Sequence, residues 1–428
     1  MIAERSFLTS LSYMEGPADS RESLLELHRL AETAGMAVVG SHAFTRPHPD
    51  AALFLGPGQA QELKKLAADH QATLLVVDHE LKPMQQRNLE RAIGLAVMDR
   101  TQLILDIFAR RAKSHEGKIQ VELAQLTYLL PRLIGKGLEM SRLGGGGIAT
   151  RGATRGPGET KLEYDRRRVR DRIAVLRRQL EALRRTRQLH RQDRGTVPLP
   201  LVSLVGYTNA GKSALLRALT GSQAFVEDKL FATLDLSTRR LVLPPSQEAL
   251  LTDTVGFIRR LPHHLVAAFR GTLEEVKFAD LLLHVVDGSH PDWEAQARTV
   301  DQVLEELEAG AKPNILVFNK RDKFSAGLQR RLRYQFPEAL QVSALTGEGL
   351  DELRRAVAAR LASDWQAVTL RLPYHRAEAR AQLLKRGRVL SETYGPKVIT
   401  LRIELPPKFL QKVRQWQREW RQESPESA

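Results

Sequence analysis

The stretch Gly206-Tyr-Thr-Asn-Ala-Gly-Lys-Ser213 decides the fold, because it has the phosphate-binding spacing G-x-x-x-x-G-K-[ST]. Leu199–Val205 before it has the pattern of a short buried strand, and a helical pattern opens at Ala214. A glycine loop between strand and helix turns its backbone N–H groups inward, where they surround phosphate oxygens. Lys212 is expected to reach the β- and γ-phosphates, and the Ser213 hydroxyl is expected to bind Mg²⁺. The alternative is a glycine turn that precedes a helix by chance.

Two further motifs add parts of a nucleotide-hydrolysing site. Phe231-Ala-Thr-Leu-Asp235 lies in a polar stretch where a switch loop belongs, and Thr233 is a candidate second Mg²⁺ ligand. Asp253-Thr-Val-Gly256 ends a predicted strand. A carboxylate at that position holds Mg²⁺, commonly through water, while the Gly256 N–H can sense the γ-phosphate.

The last two motifs predict that the base is guanine. Asn319-Lys-Arg-Asp322 ends another predicted strand, and Asp322 can accept hydrogen bonds from the guanine N1–H and exocyclic amine. Adenine offers neither donor in that geometry, so an ATP-specific site is disfavoured. Ser343-Ala-Leu345 supplies a loop whose backbone could contact guanine O6. Ligands bind at the carboxyl ends of strands in open parallel sheets, where all these motifs lie.

The sequence therefore predicts a GTP-hydrolysing domain with GTP or GDP and Mg²⁺ as cofactors. The predicted catalytic residues are Lys212, Thr233 and Gly256, and the predicted Mg²⁺ ligands are Ser213, Thr233 and, through water, Asp253. The predicted nucleotide-binding residues are Gly206, Tyr207, Thr208, Asn209, Ala210, Gly211, Lys212, Ser213, Phe231, Ala232, Thr233, Asp253, Thr254, Val255, Gly256, Asn319, Lys320, Asp322, Ser343, Ala344 and Leu345.

Phe257 follows Gly256 at the position where many GTPases carry a glutamine that orients the attacking water. Phenylalanine cannot orient water, so we expect slow hydrolysis by the protein alone. A partner or a rearranged switch loop would supply the missing group. Arg259 and Arg260 could stabilise transition-state charge, and the alternative for both is plain basic surface.

Length and composition limit the class of protein. The chain has 428 residues, which predicts two to four domains, and it has no cysteine, which excludes disulfides and thiolate metal sites. No signal-peptide pattern and no apolar run of about 18–20 residues is present, so we expect a soluble cytoplasmic protein, with peripheral membrane association as an alternative. We expect a monomer. A net charge of +15 predicts a polyanionic partner: nucleic acid first, an anionic membrane second, or else only a well-solvated surface.

The residues before the phosphate motif form two further regions. Up to Asp99, helical and strand patterns alternate, as in a small α/β sheet, and Leu53–Gly58 has the pattern of a strand ending in a turn. Thr101–Leu130 predicts two helices in a hairpin that ends at Pro131.

A glycine-rich stretch, Leu143–Glu163, comes next, with arginines between its glycines. Such a loop can approach a sugar-phosphate surface closely, and a flexible linker is the alternative. Arg166–His190 then predicts a helix with one narrow apolar seam, typical of a helix pair or coiled coil. Its arginines far outnumber its acidic residues, which favours phosphate contacts.

Together these motifs resemble those of the HflX family of translation-associated GTPases. The specific markers are Asp78–Leu89, Gly156–Glu163, Gly206–Ser213 and Asp253–Ile258, and the resemblance covers nearly the whole chain. It implies an N-terminal α/β domain with a helical hairpin, followed by a Ras-like G domain. It also implies binding to the large (50S) subunit, 70S ribosomes and ribosomal RNA, with GTP-dependent splitting of stalled or idle ribosomes. In that family the glycine-rich loop reaches toward the peptidyl transferase centre.

We predict four regions of α/β and α+β character. Residues 1–160 form the α/β domain with a helical segment and glycine-rich loop, 161–195 an arginine-rich helical arm, 197–363 the G domain and 364–428 a small α+β domain. In the last region Trp365–Leu372 and Lys397–Leu405 are predicted strands, and Trp416 and Trp420 either belong to a core or bind RNA. Two other functions stay open: an ATP-dependent RNA helicase acting on ribosomal RNA, and a non-catalytic ribosome-binding module with GTP as a structural ligand.

Overall fold

The computed structural model describes residues 4–13, 17–133, 157–192, 199–221, 230–234, 237–245, 247–260, 275–363 and 365–422. Most of the predicted glycine-rich stretch lies outside these residues. The chain divides into two compact units: Met1–Arg185 with Asp228–Asp235 and Arg260–Arg270, and Thr186–Glu227 with Leu236–Arg259 and Gly271–Ala428. Within the described part of the chain, no helix is long and apolar enough to cross a membrane.

The first unit is built on a four-stranded parallel sheet of order β2-β1-β3-β4. Its strands are β1 (Arg5–Ser12), β2 (Ala37–Thr45), β3 (Leu74–Val77) and β4 (Ala96–Asp99), and its connecting helices are α1 (Pro17–Thr33), α2 (Pro57–Asp69) and α3 (Pro83–Ile93). The alternation predicted from the sequence is confirmed as an α/β fold.

Two details of this sheet differ from the sequence pattern. The sequence pattern missed β1, although it lies between two other strands and is almost entirely buried. Its serines and threonines interrupt the apolar run that is typical of a buried strand. The strands on both sides nevertheless accept and donate the backbone hydrogen bonds of β1. The predicted strand at Leu53–Gly58 is wrong: Phe54 has φ +66° and forms only an isolated bridge with Asp50. The Asp50 carboxylate accepts the N–H groups of Ala52 and Leu53 and so stabilises a turn there.

Three helices follow β4: α4 (Arg100–Arg111), α5 (His115–Arg132) and α6 (Pro157–Gln192), and α6 belongs to the first unit as far as Arg185. Ser114 caps α5 by accepting the Gly117 N–H, and the helix ends one residue after Pro131. The predicted apolar seam is confirmed, since Ile173, Leu176 and Leu180 of α6 form one cluster with residues of α5. The helix α6 begins at Pro157, earlier than the predicted Arg166, so the end of the glycine-rich marker is helical.

The second unit contains a six-stranded sheet of order β10-β9-β8-β5-β7-β6 in which only the β6–β7 pair is antiparallel. Its elements are β5 (Leu201–Gly206), α7 (Lys212–Thr220), β6 (Ser237–Leu243), β7 (Gln247–Asp253), β8 (Leu281–Asp287), α8 (Trp293–Glu306), β9 (Asn314–Asn319), α9 (Ala326–Gln335), β10 (Leu340–Gln341) and α10 (Leu350–Leu361). The chain lays β7 on one side of β5 and β8 on the other. A crevice for ligands opens at the carboxyl end of a strand in this position.

The same unit ends in a smaller α+β part. An antiparallel sheet of order β11-β13-β12 consists of β11 (Gln366–Pro373), β12 (Arg388–Tyr394) and β13 (Val398–Leu405), with α11 (Ala377–Arg386) and α12 (Pro407–Gln422). The sequence pattern missed β12. The Trp416 ring packs edge-on against Phe409 with 5.7 Å between ring centroids, so Trp416 belongs to the hydrophobic core. The Trp420 side chain lies outside the described residues.

Candidate nucleotide-binding site

The predicted phosphate loop lies between β5 and α7, at the strand where the sheet order reverses. Gly211 has φ +90°, and a Cβ atom there would lie 2.2 Å from the Asn319 side-chain nitrogen. Only glycine fits this position, because a side chain would be both strained and in collision. The loop therefore has the compact, glycine-dependent conformation that its sequence predicts.

The Lys212 side chain lies inside this loop and is only 6% exposed. Its Nζ donates hydrogen bonds to the carbonyl oxygens of Gly206 (3.0 Å) and Tyr207 (2.8 Å). Burial lowers the pKa of Lys212 to about 8, and the nearby Asp253 carboxylate partly opposes that shift. The two carbonyl oxygens thus fix the position of the Lys212 ammonium group inside the phosphate loop.

Ser213 and Asp253 meet at the first turn of α7. The Ser213 Oγ donates to Asp253 Oδ2 at 2.6 Å, and Asp253 is 1% exposed at the end of β7. One hydroxyl and one carboxylate fit Mg²⁺, which usually takes its other ligands from phosphates and water. Thr254 and Val255 are buried, and the Thr254 hydroxyl donates to the Leu204 carbonyl at 2.7 Å, so this side chain fastens the end of β7 to β5.

Gly256 and Phe257 are held directly against the phosphate loop. The Phe257 N–H donates to the Gly206 carbonyl at 3.1 Å, and the Thr208 N–H donates to the Phe257 carbonyl at 2.7 Å. A Cβ atom at Gly256 would lie 2.9 Å from both Lys212 Nζ and Thr208 Cα. The Phe257 side chain is 1% exposed. A glutamine-like role for residue 257 is therefore excluded by its burial as well as by its chemistry.

The predicted guanine-binding residues come together at the end of β9, in the 3₁₀ turn Arg321–Lys323 and in the loop after β10. Asn319 is buried; its Nδ2 donates to the Ala210 carbonyl at 2.9 Å, and its Oδ1 accepts the Ala344 N–H at 3.1 Å. Asp322 is exposed and accepts a hydrogen bond from the Ser343 hydroxyl at 2.5 Å. Asn319 thus links the phosphate loop to the Ser343–Leu345 loop, while Asp322 faces outward, where a base can reach it.

Lys320 pairs with Asp287, which is not among the site residues predicted from the sequence. Its backbone has φ +64°, and its Nζ lies 2.7 Å from the Asp287 carboxylate. Asp287 ends β8 at the same edge of the sheet, a position that could have marked it as a site residue. Leu345 is 80% exposed, so its side chain is available to a ligand or partner.

The predicted switch residues Phe231, Ala232 and Thr233 belong to the first unit. The Phe231 ring is buried and packs edge-on against Phe108, with 4.7 Å between ring centroids. The contact with Phe108 thus holds the Phe231–Thr233 segment through its aromatic side chain. The role of Thr233 as an Mg²⁺ ligand stays a prediction from the sequence.

Arg259 and Arg260 both have carboxylate partners. Arg259 Nη2 lies 3.2 Å from Asp292, and Arg260 Nη1 lies 3.1 Å from Asp78. Each arginine is therefore paired within the protein. The sequence predicted either transition-state stabilisation or plain basic surface for them, and neither role includes these ion pairs.

The second unit has the fold of a P-loop GTPase, with the phosphate loop, Asp253–Gly256, Asn319–Asp322 and Ser343–Leu345 in order along one edge of its sheet. Three family models match the chain: "GTP-binding GTPase N-terminal" over residues 21–109, "GTP-binding GTPase Middle Region" over 111–194, and "50S ribosome-binding GTPase" over 201–320. The GTPase HflX of Caldanaerobacter subterraneus is 46% identical over 96% of this chain and 93% of its own length. The GTPase HflX of Escherichia coli is 43% identical over 84% of each chain.

The chain belongs to the HflX family of GTPases, and it binds GTP and GDP and hydrolyses GTP. Among solved structures, it is similar to a GTP-binding protein from Sulfolobus solfataricus in complex with GDP. That similarity has 25% identity and a TM-score of 0.41, and it covers 83% of this chain and 98% of the other.

Proposed function

We propose that this GTPase acts in the cytoplasm, binds the large ribosomal subunit through ribosomal RNA and uses GTP to split stalled or idle ribosomes. The description "50S ribosome-binding GTPase" of the matching family model supports a ribosomal partner. The family resemblance supports the splitting step. The four-part domain division predicted from the sequence belongs to this proposal, with the arginine-rich arm as the RNA-binding part.

The exposed arginines of α6 carry the proposal. The apolar seam of this helix packs against α5, and most of its described residues on the other faces are exposed. Arg172 pairs with Glu122, and Arg185 pairs with Glu181. Exposed arginines without a carboxylate partner among the described residues include Arg167, Arg170 and Arg177. Unpaired arginines along one helix attract a phosphate backbone and release its counterions on binding.

Within the G domain we propose the nucleotide roles predicted from the sequence. The loop Gly206–Ser213 would hold the phosphates, with Lys212 on the β- and γ-phosphates. Ser213, Thr233 and, through water, Asp253 would hold Mg²⁺, whose charge would offset that of the phosphates. Asn319, Asp322 and the Ser343–Leu345 loop would hold guanine. The contacts that join Asn319 to Ala210 and Ala344 support a single site for both ends of the nucleotide.

Nucleotide binding should take up a proton at mildly alkaline pH. In the free protein the pKa of Lys212 is about 8, below that of an exposed lysine, and bound phosphates should raise it again. Lys212 is almost fully protonated at pH 7, so the uptake is small there and grows as the pH rises through 8. At pH 8.5 we expect uptake of about 0.8 proton per GDP and about fourfold weaker binding than at pH 7.

Calorimetric titration in two buffers of different ionisation enthalpy measures this uptake. Lys212→Arg is the control, because its guanidinium stays protonated and should abolish the buffer dependence. Equal binding heats in both buffers at pH 8.5 would contradict the proposed contact between Lys212 and the phosphates.

The buried Phe257 leads us to propose that a ribosomal partner stimulates hydrolysis. The loop and lysine are preorganised, but no side chain at position 257 can orient the attacking water. Single-turnover hydrolysis should therefore accelerate when large subunits are added. Equal rates with and without ribosomal subunits would overturn this part of the proposal.

Sedimentation of intact ribosomes with the protein and a non-hydrolysable GTP analogue tests the splitting function. The appearance of free subunits is the expected result. The triple variant Arg167→Gln, Arg170→Gln, Arg177→Gln should bind more weakly, and the slope of log affinity against log salt should fall by about two. Lys323→Gln, Arg330→Gln, Arg333→Gln removes the same charge from exposed positions of the second unit and is the matched control.

Intact ribosomes that carry bound protein would overturn splitting in favour of an assembly or silencing role. Equal binding by the two triple variants would overturn the role of α6.

A further inference from the structure

The small sheet β11-β13-β12 has one face covered by helices. Its apolar side chains, among them Leu370 and Leu401, form one core with Leu383 of α11 and Phe409 of α12. Both helices therefore pack on the same side of the sheet. Neighbouring residues of a strand point to opposite sides, so the residues between the apolar ones form a second face, which we call the outer face. The nucleotide site does not use it.

Three arginines of the outer face lie in a row, one on each strand. Arg371 of β11 is directly opposite Thr400 of β13, and Arg402 follows two residues later on β13. Arg388 of β12 is directly opposite Glu404, two residues after Arg402. Diagonal neighbours of this kind are about 7–8 Å apart in an antiparallel pair. The row therefore runs obliquely across all three strands.

The charge of this row is poorly compensated. Arg371 and Arg402 are exposed and form no ion pair within the described part of the chain. Arg388 is 58% exposed, and the Glu404 carboxylate lies 3.9 Å from it. Like charges close together on a sheet destabilise it, so this surplus of positive charge does not serve the fold. It suits an anionic ligand.

Hydroxyl side chains lie beside the arginines on the outer face: Thr369, Thr400, Ser391 and Thr393. Arginine, serine and threonine are side chains that commonly bind the phosphate and sugar oxygens of nucleic acids. No aromatic residue occupies an outer-face position of the three described strands, so bases have no ring on which to stack. A double-helical RNA, whose bases are already stacked, presents its backbone and 2′-hydroxyls instead. The outer face thus matches an RNA helix better than a single strand.

We propose that the outer face binds the phosphate backbone of double-helical RNA, as a contact separate from the arginine-rich helix α6. The three arginines would lie along the phosphates, and the hydroxyl groups would bind phosphate and sugar oxygens. The choice of RNA among polyanions rests on the proposed ribosomal function. The site itself rests on the arginine row and its hydroxyl neighbours.

The double variant Arg371→Gln, Arg402→Gln in the full-length chain tests the proposal. The probe is a fluorescent RNA duplex of about 20 base pairs without ribosomal sequence, and fluorescence anisotropy measures its binding. We expect affinity about tenfold weaker than that of the original protein, with a slope of log affinity against log salt reduced by about two. GTP hydrolysis by the protein alone should be unchanged, which reports that the variant is folded.

The matched control is Arg414→Gln, Arg418→Gln. Both arginines are exposed on α12, on the other side of the same sheet, so this variant removes equal charge from the covered side. It should bind the duplex within about twofold of the original protein. Equal weakening by the two double variants would overturn the proposal, because it would show only general attraction between charges.

Two other ligands provide further outcomes that would overturn the proposal. One is tighter binding of a single-stranded uridine oligonucleotide of the same length than of the duplex. The other is binding to phosphatidylglycerol vesicles that Arg371→Gln, Arg402→Gln abolishes while duplex binding is kept. That second result would assign the outer face to an anionic membrane.

The triple variant of α6 in the same duplex assay separates this inference from the proposed function. Weak binding by the α6 variant with unchanged binding by Arg371→Gln, Arg402→Gln would overturn the role of the outer face and leave the proposed function standing. Weak binding by Arg371→Gln, Arg402→Gln in a protein that leaves ribosomes intact would support the outer face and overturn splitting.

Discussion

Asp322→Asn is expected to lower the affinity for GTP about 10⁴-fold, because it replaces the acceptor for two guanine donors with a group that presents a donor. Asp322 lies exposed beside the Ser343 hydroxyl, and the asparagine Oδ1 can still accept that 2.5 Å hydrogen bond. The loop should therefore keep its conformation. Xanthine carries a carbonyl in place of the guanine amine, so the variant should bind XTP instead. Competition against a fluorescent GTP analogue by GTP, XTP and ATP measures the switch.

The matched control is Asp351→Asn in the same unit. Asp351 is 90% exposed and pairs with Arg354 on the surface of α10. It should leave GTP and XTP binding unchanged. A loss of GTP binding by Asp322→Asn without gain of XTP binding would show that the variant damages the loop, and retained GTP affinity would remove Asp322 from the guanine site.

Phe257→Gln is expected to destabilise the GTPase fold by about 3–5 kcal/mol and to give no faster hydrolysis. The side chain is 1% exposed, so the substitution removes a buried ring and places an amide where it lacks water. Because its side chain is buried, residue 257 has no access to solvent. A side chain there therefore cannot orient an attacking water. Hydrogen exchange of β5 and β7 measures the local stability, and single-turnover hydrolysis measures the activity.

Tyr334→Gln provides the comparison for this substitution. Tyr334 belongs to the same unit and is 87% exposed, so its replacement should change stability by less than about 0.5 kcal/mol. Faster hydrolysis by Phe257→Gln with stability unchanged would mean that the side chain reaches the reacting phosphate. That outcome would contradict the burial of Phe257 as the cause of slow turnover.

The G domain was predictable because its nucleotide-binding residues lie in short contiguous motifs. Gly211 and Lys212 follow a buried strand directly, and the spacing of Asn319 and Asp322 is set by one turn of backbone. That these two motifs lie close together follows from one rule: parallel strands have their carboxyl ends at the same edge of the sheet. The apolar seam of α6 was predictable for a similar reason, because helical periodicity is a local property.

The sequence by itself thus determined the class of fold, the choice of guanine and the absence of a glutamine after Gly256. Only the tertiary structure decided that β1 is a central strand, that Phe257 is buried beneath the phosphate loop, and that Arg260 pairs with Asp78. Asp78 and Arg260 are far apart in the chain, and no local pattern links them. Burial and ion pairing depend on which distant residues the completed fold brings together, whereas a motif depends on its neighbours in sequence.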